Sequence, residues 1–230
     1  MQTLIGIGIV IIGYIIGSIP FGLLIVKSKT GKDIRTVESG RTGGTNAVRA
    51  AGFGAGLLTA LLDILKGTAS VWLAQTVLPE NYLFHILAPL AAILGHNYSL
   101  FLIRRAENGK LRFYGGAGGA PALGGAAGLW LPILPIVVAV GALIWFTLGI
   151  ASVTTMAIGL IVIVVFAIRS SLGLLDPVTI LYGVIAELLL LWALRPNIKK
   201  LLAGNERVVR TSLNGWLRAR KEARTESSNK

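Results

Sequence analysis

Ser39-Gly40-Arg41-Thr42-Gly43-Gly44-Thr45-Asn46-Ala47-Val48-Arg49 is polar, glycine-rich and basic, and it lies between two long apolar runs. Successive glycines and small polar residues let backbone N–H groups converge on an anion. Thr42, Thr45 and Asn46 add side-chain donors, and Arg41 and Arg49 add charge and forked hydrogen bonding. Arg49 follows Ser39 by ten positions, far enough for the segment to close on itself. A flexible connector with arginines on the cytoplasmic side of a membrane has the same composition, so spacing alone leaves both readings open. The segment is not a Walker loop, because the terminal Gly-Lys-Ser/Thr is missing. It is not a dinucleotide fingerprint either, because no βαβ unit surrounds it.

Gly95-His96-Asn97 offers a second candidate. His96 could serve as a general base, bind phosphate as imidazolium, or only hydrogen-bond a carbonyl at an interface. His85 reads as structural, since it falls near the other end of the same run. Asp63 and Lys66 are three residues apart and share a helix face, as an ion pair or as the wall of a site. Gly115-Gly116-Ala117-Gly118-Gly119 follows basic residues and precedes an apolar run. A helix N-terminus there favours an anion, and a tightly packed turn is the alternative. Asn197 opens the basic tail and suits a helix N-cap.

The scaffold for these residues is a membrane. Of 230 residues 54% are hydrophobic, and the mean hydropathy is +0.74. Apolar runs long enough to cross about 30 Å of hydrocarbon recur, which predicts an all-α, polytopic membrane protein. The runs are Leu4 to Val26, Phe53 to Leu78, Tyr82 to Ile103, and then about 118–131, 134–149, 153–169 and 177–194. Pro20 should break or kink the first. The first loop carries Lys27, Lys29, Lys32, Arg35, Arg41 and Arg49 against Asp33 and Glu38. The second carries Arg104, Arg105, Lys110 and Arg112 against Glu107. Placing both loops and the tail in the cytoplasm requires even numbers of crossings between them. The result is seven spans, with the N-terminus outside and the C-terminus inside.

The formal charge of +12 fits that topology and attraction to anionic membrane lipids, and no soluble domain is left to bind nucleic acid. There is no cysteine, which removes disulfides and thiol chemistry. Residues 1–198 read as a membrane domain and 199–230 as a basic cytoplasmic tail. In the tail Val209, Leu213, Trp216 and Leu217 recur at helical spacing among arginines, while Thr225 to Lys230 read as disordered. No cluster of histidines and carboxylates suggests a metal. Nothing in the sequence sets the oligomeric state.

Taken together these stretches resemble the PlsY family, the bacterial integral-membrane glycerol-3-phosphate acyltransferases that use acyl phosphate as donor. The likeness rests on Gly17 to Gly22, on Ser39 to Arg49 and on Leu62-Asp63-Ile64-Leu65-Lys66-Gly67. It continues in Leu94-Gly95-His96-Asn97 and in Asn197-Ile198-Lys199-Lys200-Leu201-Leu202-Ala203-Gly204. The resemblance implies transfer of an acyl group to the 1-hydroxyl of glycerol 3-phosphate, giving lysophosphatidic acid and phosphate, with no cofactor. It implies a multi-pass protein of the bacterial cell membrane whose site faces the cytoplasm. It places Ser39, Arg49, His96 and Asn197 at catalytic positions. Gly40, Arg41, Gly43, Gly44, Thr45, Asn46, Gly115, Gly116 and Gly118 fall at phosphate-binding positions. Three departures stand out. Ala117 occupies a loop position that is usually lysine, Arg41 one that is usually asparagine, and the loop around Arg104 to Arg112 is enlarged. Lys110 or Arg112 could replace the missing lysine. A divergent relative that binds anionic lipid without turnover, or a transporter of phosphorylated solutes, are the competing readings. A transporter would place polar residues near the middle of several spans.

Overall fold

Proline 20 divides the first apolar run. The computed structural model, which describes residues 1–105 and 109–228 with side chains to residue 221, has helix α1 at Gln2–Ser18 and α2 at Phe21–Thr30. Proline lacks the N–H that would continue the ladder, and at Pro20 the helix breaks. The Ile19 carbonyl left at the break accepts from the Phe21 N–H at 3.1 Å and from Lys66 Nζ at 3.2 Å. Helix α2 ends where Gly31 adopts φ 71°, a left-handed cap that a residue with a Cβ resists.

Helices α3 (Gly44–Ala51), α4 (Phe53–Val77) and α5 (Tyr82–Asn97) follow. A short antiparallel ribbon, β1 (Arg104–Arg105) and β2 (Leu111–Arg112), leads to α6 (Gly119–Leu129) and α7 (Ile133–Leu148). The chain ends in α8 (Ala151–Ser171), α9 (Val178–Leu202) and α10 (Leu213–Ser228). Glu107, expected to be the acid of the second basic loop, lies outside the described residues.

Helix α5 packs against α1, α4, α6 and α9 and forms the axis of the bundle. Its Ile86, Leu90 and Ile93 meet Ala122 and Ala126 of α6, Phe166 of α8, and Tyr182 and Leu190 of α9. Tyr182 is wholly buried and donates its hydroxyl to the Ala122 carbonyl at 2.6 Å, as a polar group in an apolar interior must. Close approach relies on small residues. A Cβ on Gly17 would strike Ala92 of α5, and one on Gly124 would strike the Ile64 carbonyl of α4. In lipid, where apolar burial between helices adds little, such contacts and interhelical hydrogen bonds hold the bundle. Thr68 supplies one, to the Gly124 carbonyl at 2.8 Å. Leu58, Leu61 and Leu65 of α4 are exposed, as a lipid-facing surface requires.

Among the described residues, five helical stretches are long and apolar enough to span a membrane: Gln2–Thr30, Phe53–Val77, Tyr82–Leu102, Ala151–Ser171 and Val178–Leu202. The expected run 118–131 forms an 11-residue helix, about 16 Å long at 1.5 Å per residue, and α7 has 16 residues. The last expected span, 177–194, continues to Leu202, so the boundary drawn at 198 falls inside α9. Asn197 is therefore in a helix interior, directly after Pro196, and is not an N-cap. Helix α10 continues to Ser228, through residues expected to lack order, and residues 229–230 lie outside those described. Val209 precedes α10 rather than sharing its face.

The α4–α6 contact makes a prediction. Gly124→Ala should lower stability by about 1–3 kcal/mol through overpacking, while Gly54→Ala, where a Cβ meets open space, should be neutral or slightly stabilising. Thermal unfolding of the two variants in detergent checks the difference.

Candidate functional site

The first loop is built before it binds anything. Arg35 grips Asp33 through its Nε and Nη2, at 2.6 Å for the shortest contact. That hydrogen bonding pulls the Asp33 carboxyl down to about 2. Asn46, buried on α3, donates its Nδ2 to the carbonyls of Ile34, Val37 and Arg41 at 2.9–3.1 Å. Its amide hydrogens hold the loop in shape, so the side-chain donor expected to face a phosphate is turned inward. Glu38 at φ 46° is the one positive-φ residue other than glycine among those described, and Gly40 at φ 66° follows it. Ser39 between them is exposed, and its Oγ lies 3.4 Å from the Arg41 N–H. Gly43 caps α3, whose first turn carries Gly44 and exposed Thr45. Arg49 sits half-buried at the other end of α3, and burial, helped by nearby Arg207, pulls its pKa below the ordinary guanidinium range.

The second glycine loop is stitched to the first. The Thr42 N–H donates to the Gly115 carbonyl at 3.2 Å, and the Gly116 N–H donates to the His96 carbonyl at 2.9 Å. A Cβ on Gly116 would collide with His96 Nε2, so the loop lies against the imidazole edge. Gly118 has φ 91° and caps α6, with N–H groups of the first turn beyond it. Arg41 reaches from the first loop to the Ala193 carbonyl of α9, with Nη2 at 2.7 Å. Its burial pulls its pKa down, and the Glu206 carboxylate works against that shift.

Behind the loops lies a buried charged cluster. Lys66 Nζ is 2.7 Å from Asp63 Oδ1 and 2.8 Å from His96 Nδ1, and all three side chains are buried. Asp63 Oδ1 is also 3.5 Å from His96 Nδ1. An ammonium has no lone pair, so while Lys66 is charged Nδ1 must accept from it. The neutral imidazole then carries its hydrogen on Nε2, the edge facing Gly116. Asp63 and Lys66 thus do form an ion pair, and the pair orients His96. Next to it Asn97 is 6% exposed, and neither Oδ1 nor Nδ2 has a partner among the described residues. Its amide lies beside Gly118.

Asn197 is brought in by the tail. Its Nδ2 donates to Glu206 Oε1 at 2.8 Å, and Ser152 Oγ donates to the same oxygen at 2.9 Å. The next residue, Arg207, pairs with Glu38 at 2.6 Å. Ser39, Arg49, His96 and Asn197 therefore lie at one end of the bundle, linked through the two loops, Arg41 and the tail. They do not share one cavity wall. An opening of about 700 Å³ is lined by Thr45, Arg49, Phe53, Leu57, Trp145 and Arg207, among others, but not by Ser39, His96 or Asn197. Arg112 stacks on the Tyr114 ring at 5.1 Å, on the exposed ribbon. His85 sits within 2.8 Å of the Leu78 carbonyl, as a structural histidine would.

A family model described as glycerol-3-phosphate acyltransferase matches residues 7–204. The chain belongs to this family. A glycerol-3-phosphate acyltransferase of Rubrobacter xylanophilus is 36% identical over 199 residues, covering 86% of this chain and 92% of the relative. One of Limosilactobacillus reuteri is 35% identical over 220 residues, covering 94% and 97%. The crystal structure of PlsY (YgiH), an integral membrane glycerol 3-phosphate acyltransferase in its glycerol 3-phosphate form, superposes with a TM-score of 0.75. That match has 30% identity and covers 89% of this chain and 95% of that one. Its lysophosphatidic acid form gives 0.73. Family members thus share both the sequence and the helical membrane fold of this chain.

Sequence reasoning missed Lys66 as the residue that fixes the His96 tautomer, Asn97 as an unpartnered amide, and Glu206 as the acceptor for Asn197. The i,i+3 spacing exposed only the Asp63–Lys66 half of the first. Removing one member of a buried ion pair strands the other. Asp63→Leu should therefore cost about 3–5 kcal/mol, and adding Lys66→Met should recover much of it. Unfolding of the single and double variants in detergent measures both.

Proposed function

We propose that the protein transfers an acyl group from acyl phosphate to the 1-hydroxyl of glycerol 3-phosphate, releasing lysophosphatidic acid and inorganic phosphate. The observation that carries this reading is the stitching of two glycine loops, each opening a helix, around the oriented imidazole of His96. Both substrates are phosphorylated, so the site needs N–H donors and cations more than carboxylates. It offers the first turns of α3 and α6, Ser39, Thr45, the Asn97 amide, Arg41 and Arg49. We place this end of the bundle in the cytoplasm with seven helical segments in the membrane, because the lysines and arginines of both loops and the tail gather there. Apart from the Asp63–Lys66 pair of α4 and Glu187 of α9, the polar groups cluster at this end rather than along the spans, which favours an enzyme over a transporter.

The mechanism follows from what each group can donate or accept. The hydroxyl oxygen attacks the acyl carbonyl carbon, the bond from that carbon to the bridging oxygen breaks, and phosphate leaves. His96 holds its proton on Nε2 while Lys66 is charged, so it donates a hydrogen bond and does not take the hydroxyl proton. A phosphate oxygen of the substrate accepts that proton, which leaves as part of the inorganic phosphate. Asn197, held by Glu206, and Arg49 orient the phosphates. Where Ala117 offers no cation, half-buried Arg41 carries a guanidinium from the first loop to the face of α9 beside it.

The test is an assay of purified protein with palmitoyl phosphate and glycerol 3-phosphate, following phosphate and lysophosphatidic acid together. Wild type should form both in equal amounts, and Arg49→Ala should fall at least about 100-fold. Wild-type turnover no higher than that of Arg49→Ala would sink the proposal.

A further inference from the structure

The family match ends at residue 204, yet the next residues cross the open cavity. The strap from Glu206 to Ser212 is pinned to the turn between α7 and α8. The Val209 N–H donates to the Gly149 carbonyl at 2.8 Å, and Asn214 Nδ2 donates to the Leu148 carbonyl at 3.1 Å. Gly149, at φ 68°, has Ser212 packed against it. Pinned this way, the strap forms one wall of the cavity, and Arg207 and Arg210 line it together with Arg49 of α3.

The opposite wall is apolar. Val48, Phe53 and Leu57 are all exposed there, Phe53 at 74%, and Trp145 of α7 completes it. Exposed apolar surface bordering a cationic rim is the complement of an amphiphile with one anionic head. The volume, about 700 Å³, is that of a small-ligand pocket. Arg210 makes no ion pair among the described residues. Among the described residues Arg207 pairs only with Glu38, with side chains 56% and 46% exposed, and an exposed pair of this kind exchanges partners at little cost.

We propose that Arg207 and Arg210 are specificity-determining residues that bind the anionic head of a single-chain lipid whose chain lies against Val48, Phe53, Leu57 and Trp145. The occupant is thus an amphiphile with one chain and one phosphate, and a bound head displaces Glu38 from Arg207. The identification of that amphiphile with the substrate or product rests on the acyltransferase reading, but the binding itself does not.

The experiment is equilibrium binding of radiolabelled hexadecyl phosphate, which cannot be turned over, to the full chain in detergent. Arg207→Gln/Arg210→Gln should raise Kd about tenfold or more. Leu57→Trp, which fills the apolar side from an exposed position, should do the same, and Arg207→Lys/Arg210→Lys should stay within about threefold of wild type. Hexadecanol and inorganic phosphate should each compete far more weakly than unlabelled hexadecyl phosphate. Binding unchanged in both the glutamine pair and Leu57→Trp overturns the inference, as does equal competition by inorganic phosphate. A wild type that binds as described but releases no phosphate from palmitoyl phosphate in the presence of glycerol 3-phosphate would leave the pocket standing and remove the acyltransferase reading.

Discussion

A lysine ammonium enclosed in an apolar helix bundle must be matched within hydrogen-bond reach or lose its charge. Lys66 is matched on three sides, by Asp63 one turn earlier, by the Ile19 carbonyl at the break between α1 and α2, and by His96 of the neighbouring helix. Each partner belongs to a different segment. The ammonium therefore fixes the break between α1 and α2, the seam between α4 and α5, and the face that His96 presents. A break that would destabilise a soluble helix is tolerated because a cation completes it.

Everything nearer the surface is layered on that seam. The second glycine loop closes on the imidazole because only glycine fits beside Nε2, and the first loop attaches to the second through Thr42. Asn46 folds the first loop from within, which leaves backbone N–H groups, Ser39, Thr45 and two arginines for a ligand. The tail then locks the outside, with Glu206 on Asn197 and Arg207 on Glu38. Glu38 adopts a backbone conformation that glycine would adopt freely, and its carboxylate pairs with Arg207 of the tail. The chain thus couples its strap, which the family model does not cover, to the loop that the family model does.

The membrane class and the two glycine loops were legible because composition and hydropathy report them directly. The Asp63–Lys66 pair was legible because helix periodicity puts residues three apart on one face. Its link to His96, 30 positions away, was not, since nothing local encodes which helices pack together. Asn197 suits a cap by residue type, yet α9 carries both it and Pro196 in its interior, which nothing local to the sequence reveals. Asn46 was read as a ligand donor because small polar residues in glycine loops serve equally well to fold the loop. Nothing in the sequence sets Glu206 and Arg207 apart from the other tail charges, since their partners lie in α9 and in the first loop.

His96, with its hydrogen on Nε2, donates a hydrogen bond in this mechanism and takes up no proton. The direct measurement is the rate of palmitoyl-phosphate-dependent acylation of glycerol 3-phosphate by wild type and His96→Gln, from about pH 5 to 9, a range that spans imidazole titration. Glutamine can donate a hydrogen bond at that position but cannot take up a proton. The account predicts that His96→Gln keeps activity within about tenfold of wild type and shows the same pH limbs. A loss of 10²–10⁴-fold, with disappearance of one limb, is the signature of a general base and would contradict it.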